Sequence, residues 1–184
     1  MRVITGKYRG RKLESPIGNM VRPTTDKVKE AIFNICQNEI YDAVCADIFA
    51  GSGALGIEAL SRGAKKCYFG DVSRDSIKLI HRNVRMCGAE NEAVIYSGDF
   101  RKVLGRIREK VDIFFLDPPY DDGLYLAALE MIGDLDLLAP QGIILAEHDA
   151  KDELPDRVGE LVKVRVKKYG KTCVSIYETE NVDE

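Results

Sequence analysis

The stretch "DIFAGSGALGIEALSRGA", residues 47–64, changes its periodicity in the middle. It continues "AVCADIFA" (43–50), an apolar run of strand length. After it, Leu55, Ile57, Ala59 and Leu60 recur at helical spacing, and Gly63 is a plausible stop. Between the two, Gly51, Gly53 and Gly56 satisfy G-x-G-x-x-G. Glycines here permit a sharp turn and a close approach of a ligand to the backbone. Asp71 ends the next apolar run about 20 positions on, where an acid can hold a ribose hydroxyl. The pattern predicts a strand–turn–helix unit with a nucleoside-containing cofactor at the first crossover. Alone, it fits a dinucleotide equally well.

Working outward, the alternation continues. Strand-length runs lie at 66–71, 93–99, 111–117 and 142–148, with helical segments between them. In "SRDSIKLIHRNVRMCG" (73–88), Ile77, Ile80, Val84 and Cys87 share a face, with Ser73 as cap and Gly88 as stop. Residues 99–110 and 122–137 read as two further helices. Such alternation implies right-handed βαβ units and a mostly parallel sheet covered on both faces. The tail differs: "ELVKVRVKKYG" and "KTCVSIYE" are β-rich and joined through Gly170-Lys171, an antiparallel hairpin. At the other end, "RVITGKYRGRKLESP" (2–16) reads as a small basic hairpin. A helix capped by Thr25 follows, with Val28, Ile32, Phe33 and Ile35 facing inward.

Four acids fall at predicted carboxyl ends of strands: Asp47, Asp71, Asp99 and Asp117. Any one suits a turn; four together mark a rim, where open α/β sheets bind ligands. A carboxylate at Asp47 suits a cationic group such as an amino-acid ammonium. Gly98-Asp99-Phe100 places an acid and an aromatic where an adenine would lie. The fourth strand ends in Asp117-Pro118-Pro119-Tyr120, two prolines directly after a buried run.

The 184 residues suit one domain with a small appendage. No apolar run approaches the roughly 20 residues that span a bilayer, and the N-terminus has no apolar signal core, so a cytoplasmic protein is expected. Cys36, Cys45, Cys67, Cys87 and Cys173 are scattered and odd in number, as reduced core cysteines would be. His81 and His148 have no ligand spacing, and no metal is expected. The net charge of −3 is uneven. Residues 1–30 hold eight Lys/Arg and three acids; the remainder holds 19 basic against 27 acidic residues. A basic head on an acidic body suits a polyanion.

The glycine loop, Asp71, Gly98-Asp99-Phe100 and "FLDPPY" (115–120) together resemble class I methyltransferases that use S-adenosylmethionine, in their amino-methylating branch. More narrowly, "GKYRGRKL" (6–13), "RPTTDKVKEAIFNI" (22–35), "FAGSGALGIEALSRGA" (49–64), "FLDPPY" and "YGKTCVSIYE" (169–178) resemble the RsmD-type family. That resemblance implies methylation of a guanine N2 amine in 16S ribosomal RNA, by a cytoplasmic and monomeric enzyme. It implies an α/β Rossmann-like fold, with a mostly parallel seven-stranded sheet ending in an antiparallel hairpin. Residues 1–22 become an RNA-contacting hairpin extension and 23–184 the methyltransferase domain. The cofactor would be held by Arg22, Pro23, Thr24, Asp47, Phe49, Ala50, Gly51, Ser52, Gly53, Asp71, Val72, Gly98, Asp99, Phe100 and Asp117. Asp75 is the alternative to Asp71 at the ribose. Asp117, Pro118, Pro119 and Tyr120 would be catalytic.

The chemistry fits such a tetrapeptide. An exocyclic amine is a poor nucleophile because its lone pair is delocalised. Acceptors on its protons, the Asp117 carboxylate and the Pro118 carbonyl, favour the sp3 nitrogen needed for attack. The prolines fix the backbone, and Tyr120 offers a stacking face. The target base must be unpaired or flipped. Lys7, Arg9, Arg11 and Lys12 are the candidate phosphate contacts; Tyr8 is either a packing residue of the hairpin or a stacking face for an exposed base. His148, next to Glu147, faces the same rim. Two alternatives stand beside this reading. An adenine-N6 or cytosine-N4 DNA methyltransferase would use the same tetrapeptide. An NAD-dependent oxidoreductase would use the glycine loop but leaves Asp-Pro-Pro-Tyr unexplained.

Overall fold

A computed structural model describes residues 1–16, 25–119 and 123–181. In chain order, the elements are α1 (Asp26–Ile35), β1 (Val44–Asp47), α2 (Ala54–Ser61), β2 (Lys66–Asp71), α3 (Arg74–Cys87), β3 (Ala93–Ser97) and α4 (Phe100–Arg106). Then come β4 (Val111–Leu116), α5 (Leu124–Asp134), β5 (Leu138–Asp149), β6 (Arg157–Val158), β7 (Leu161–Tyr169) and β8 (Thr172–Thr179). The strands form one sheet in the order β3-β2-β1-β4-β5-β8-β7-β6. Pairing is parallel from β3 through β5 and antiparallel from β5 onward.

The expected mostly parallel sheet with an antiparallel end is therefore present. Its seven strands gain a short eighth, β6, at the edge. The basic head is slighter than a full hairpin. It closes through a single antiparallel bridge, Arg2 with Lys12, because Gly6 and Gly10 take left-handed turns between its halves.

Two packed layers follow from strand alternation. Cys45, Phe69, Ile113, Phe115, Leu145, Val174 and Ile176 face α1, α2 and α3, meeting Phe33, Ile57, Leu60 and Ile80. Val44, Ala46, Phe114, Leu116, Ile144 and Tyr177 face α4 and α5, meeting Val103, Leu104, Leu129 and Ile132. β1, between β2 and β4, is buried along its whole length, as a central parallel strand must be. Helix signals in the sequence coincide with real caps. Thr25 Oγ1 accepts from Val28 N and Ser73 Oγ from Ser76 N, and Gly88 ends α3 with left-handed φ. All five cysteines are free and buried.

The head joins the first layer through Val3, Tyr8 and Leu13. Its backbone is clamped to the last turn of α2. Lys7 N donates to Ser61 O, Tyr8 N donates to Ser61 Oγ, and that hydroxyl donates to Thr5 O.

Candidate active site at the carboxyl ends of the parallel strands

Strand order reverses at β1, whose neighbours β2 and β4 lead to opposite halves of the sheet. The crevice outside their carboxyl ends is the switch point. The glycine loop lies there. Gly51 and Gly53 have φ of 57° and 83°, conformations that cost any other residue strain. A Cβ on Gly51 would meet nothing within 4 Å, so the loop surface is open to a ligand. Gly56 serves differently. A Cβ there would lie 2.3 Å from the Phe69 ring and 2.8 Å from Cys67 Sγ, so glycine lets α2 settle directly on β2.

The loop is held by carboxylates. Asp71 Oδ2 accepts from Gly51 N at 2.9 Å and its Oδ1 from Ser73 N at 2.9 Å. Asp75 instead sits in the first turn of α3, exposed. Asp47 is buried, and its Oδ2 accepts from Gly56 N at 3.2 Å. Burial pushes its carboxyl up to about 7; nearby Asp71 and Glu147 add to this and the Gly56 N–H opposes it. A group poised this way gains from a cation beside it.

Gly98 N donates to Asp71 O, drawing the β3 end against the β2 end. Asp99 caps α4, accepting from Arg101 N. The Phe100 ring does not line the crevice. It is buried against Phe49, with ring centroids 5.6 Å apart. Ala50 and Ser52 are likewise buried, whereas Val72 is 73% exposed beside Asp71, an apolar wall at the rim. Asp117 is half-buried, Pro118 buried and Pro119 exposed. Arg22, Pro23, Thr24 and Tyr120 lie outside the described residues.

The head is placed differently from the rim. Arg11 donates to Met86 O in the last turn of α3, and Lys7 lies 3.7 Å from Glu92 before β3. Lys7, Arg9, Arg11 and Lys12 are exposed but near the ends of α2 and α3 that point away from the rim. Tyr8, for which packing within the head stood beside stacking on a base, is only 9% exposed, as a packing residue is. Its ring anchors the head in the core, because the neighbouring backbone is pinned to Ser61. His148 is also internal. Its Nδ1 meets the Asp149 carbonyl at 2.9 Å and its Nε2 the Ser175 hydroxyl at 2.7 Å. A carbonyl only accepts, so Nδ1 carries the proton and Nε2 accepts from Ser175 in the neutral ring.

Sequence reasoning missed three buried polar residues that tie these parts together. Asn83 is fully buried on α3. Its Oδ1 accepts from Glu14 N, and its Nδ2 donates to Glu14 O and to Ser52 O of the glycine loop. Glu58 is fully buried on α2. It accepts from Ile4 N, Thr5 N and Arg62 Nε, and pairs with Lys29 of α1 at 3.3 Å. Lys29 in turn donates to Arg2 O. The available signal was a polar residue on an otherwise apolar helix face.

A parallel sheet of this order with a glycine loop at the switch point is the fold of class I methyltransferases. A solved structure of the same character is similar to this chain: the yhhF protein of Escherichia coli, described as a "putative methyltransferase", matches with a TM-score of 0.88 at 33% identity, covering 98% of each chain. The chain belongs to the family described as Conserved hypothetical protein 95, whose model matches residues 1–178. It is 42% identical to YlbH of Bacillus subtilis over 181 residues, covering 97% of this chain and 98% of that one. It is 35% identical over 180 residues to "Ribosomal RNA small subunit methyltransferase D" of Escherichia coli, covering 98% of this chain and 90% of that one.

Proposed function

We propose that this chain methylates the exocyclic N2 amine of a guanine in 16S ribosomal RNA of the small subunit, with S-adenosylmethionine as methyl donor. The observation that carries the reading is the Asp117-Pro118-Pro119 turn leaving β4 at the switch point, directly beside the glycine loop. The name of the Escherichia coli relative supports the substrate class. Membership of the RsmD-type family supports the choice of amine. The described residues contain no helix long and apolar enough to cross a membrane.

The residues present fit that donor. Gly51 and Gly53 leave open backbone, Asp71 stands ready for ribose hydroxyls, and Val72 provides an apolar wall for the base. Asp47 offers a buried carboxylate for an ammonium, and Asp99 borders the adenine end. When bound, the donor supplies a methyl already activated on a sulfonium, so neither a metal nor a covalent enzyme intermediate is required. The protein's task is alignment, which recovers on the order of 7–11 kcal/mol in well-oriented systems.

Asp117 and the Pro118 carbonyl accept hydrogen bonds from the two amine N–H groups, favouring the sp3 nitrogen before charge develops. The nitrogen proton leaves after the new N–C bond forms, so Asp117 acts as an oriented acceptor and not as a strong base. A tyrosine at position 120 supplies an aromatic ring of the kind on which a base stacks. The exposed head cations Lys7, Arg9, Arg11 and Lys12 add phosphate contacts away from the rim, and the enzyme acts as a monomer.

The test is nucleoside mass analysis of small-subunit RNA from cells with and without this protein. Loss of N2-methylguanosine is expected on deletion, with restoration by the wild type and not by Asp117→Ala. Purified Asp117→Ala should still bind S-adenosylmethionine within about twofold while transfer falls by about 10²-fold or more. Unchanged N2-methylguanosine in the deletion strain, or methylation of duplex DNA in place of RNA, would overturn the assignment.

A further inference from the structure

The head is not the only basic element. Residues 161–171, "LVKVRVKKYGK", hold Lys163, Arg165, Lys167, Lys168 and Lys171 and no acid. Outside this segment and residues 1–30, the chain has 14 basic against 27 acidic residues. A run of five cations on such a body is a local exception that the fold of β7 does not require. Lys163 is occupied, pairing with Asp156 and donating to Leu154 O. None of Lys167, Lys168 and Lys171 pairs with a carboxylate among the described residues.

Sheet register decides where these lysines lie. Leu116 is level with Ala146, so Asp117 is level with Glu147. Glu147 pairs with Val174, and Val174 with Lys167. One row therefore runs Asp117, Glu147, Val174, Lys167 across β4, β5, β8 and β7. Alternation puts the row on a single face, the one carrying Phe115, Leu145 and Val174. Three strand spacings make Lys167 about 14 Å from Asp117. Lys168 and Lys171 lie beyond it at the hairpin tip, which is fastened to the rim where Ala150 N donates to Lys171 O at 2.8 Å. The head cations, by contrast, sit at the far ends of α2 and α3.

We infer that the tip of the β7–β8 hairpin is the RNA platform of the catalytic rim, with Lys167, Lys168 and Lys171 contacting phosphates that flank the target guanine. The inference rests on the proposed RNA substrate. Its occupant is a phosphodiester backbone because the tip offers several unpaired point charges, Lys167 and Lys168 on opposite faces of β7 and Lys171 at the turn. A flipped base in the Asp117 pocket must be anchored by its neighbours, and about 14 Å spans two to three nucleotides of an extended strand.

The experiment uses the full chain and the triple variant Lys167→Ala/Lys168→Ala/Lys171→Ala. Their S-adenosylmethionine dissociation constants and thermal midpoints are compared first, and both should agree, since these side chains take no part in the core. Methyl transfer is then measured on small-subunit particles from cells lacking the enzyme, across a salt series. The variant should raise KM for the particles about tenfold or more, and reduce the slope of log affinity against log salt by about 2, near 0.7 per lost contact on single-stranded RNA. Equal KM and equal salt slope, with an active wild type, overturn the platform while leaving the function standing. An inactive wild type overturns the function first. Loss of binding to phosphatidylserine vesicles with RNA kinetics unchanged assigns the patch to a membrane and also overturns the inference.

Discussion

Asp47 shows at the scale of one residue how binding is set against stability. Burial raises its carboxyl from 3.8 to about 7. Between those values the folded chain keeps a proton that the unfolded chain has released, so stability falls as pH rises through the window. The loss is complete above about 7. A cationic ligand group beside the carboxylate reverses the sign by favouring the ionised form. Asp47→Asn is therefore expected to raise the thermal midpoint of the cofactor-free protein near about pH 8 and change it little near about pH 4. The wild type should bind S-adenosylmethionine more tightly as pH rises from about 6 to 7.5, and the variant should bind it more weakly and without that rise. Calorimetry on both proteins across that range measures this. A variant that is less stable at the higher pH, or that binds equally well, would show that Asp47 serves only the Gly56 amide.

At the scale of the element, α2 and its glycine loop were the most legible part of the sequence. The three glycines, the strand before them and Asp71 after them all announced the turn, and the spacing of Leu55, Ile57, Ala59 and Leu60 announced the helix. Periodicity could not announce contact distance. Only the packed structure shows that Gly56 touches Phe69 and Cys67 so closely that a methyl has no room. Gly56→Ala relieves the entropy cost of glycine in a helix but drives α2 away from β2. The collision is with a fully buried ring, which cannot swing aside, so the net effect should be a loss of about 1–3 kcal/mol. Because α2 carries the loop at its first turn, S-adenosylmethionine affinity should fall with it. Urea unfolding and cofactor titration of the variant measure both; a stabilised protein with normal affinity would mean that Phe69 yields.

At the scale of the whole molecule, the mostly parallel sheet followed from strand–helix alternation and its antiparallel end from the β-rich tail, but the way the head is fastened did not. Positive charge suggested that the head reaches out, yet Tyr8 turns inward and the head's backbone amides are spent on Ser61 and Glu58. The sequence offers only a faint signal of this, a glutamate at position 58 among apolar helix neighbours, which does not say what the glutamate holds. The fold instead gathers Lys29 of α1, Arg62 of α2 and the amides of Ile4 and Thr5 around it. That hub joins the head, α1 and the helix behind the glycine loop. Removing one partner of a buried pair strands the other, at about 3–5 kcal/mol. Glu58→Ala leaves Lys29 without its carboxylate and frees two head amides, so the head should detach before the sheet unfolds. Limited proteolysis is expected to cut the variant within residues 1–16 while the remainder resists, and amide exchange at Ile4, Thr5, Lys7 and Tyr8 should accelerate. Lys29→Met/Glu58→Leu, which removes both charges and keeps volume, should recover most of the stability but not the protection of Ile4 and Thr5, whose acceptor is gone. If the single variant stays protease-resistant and its head amides exchange as slowly as in the wild type, Val3, Tyr8 and Leu13 hold the head unaided.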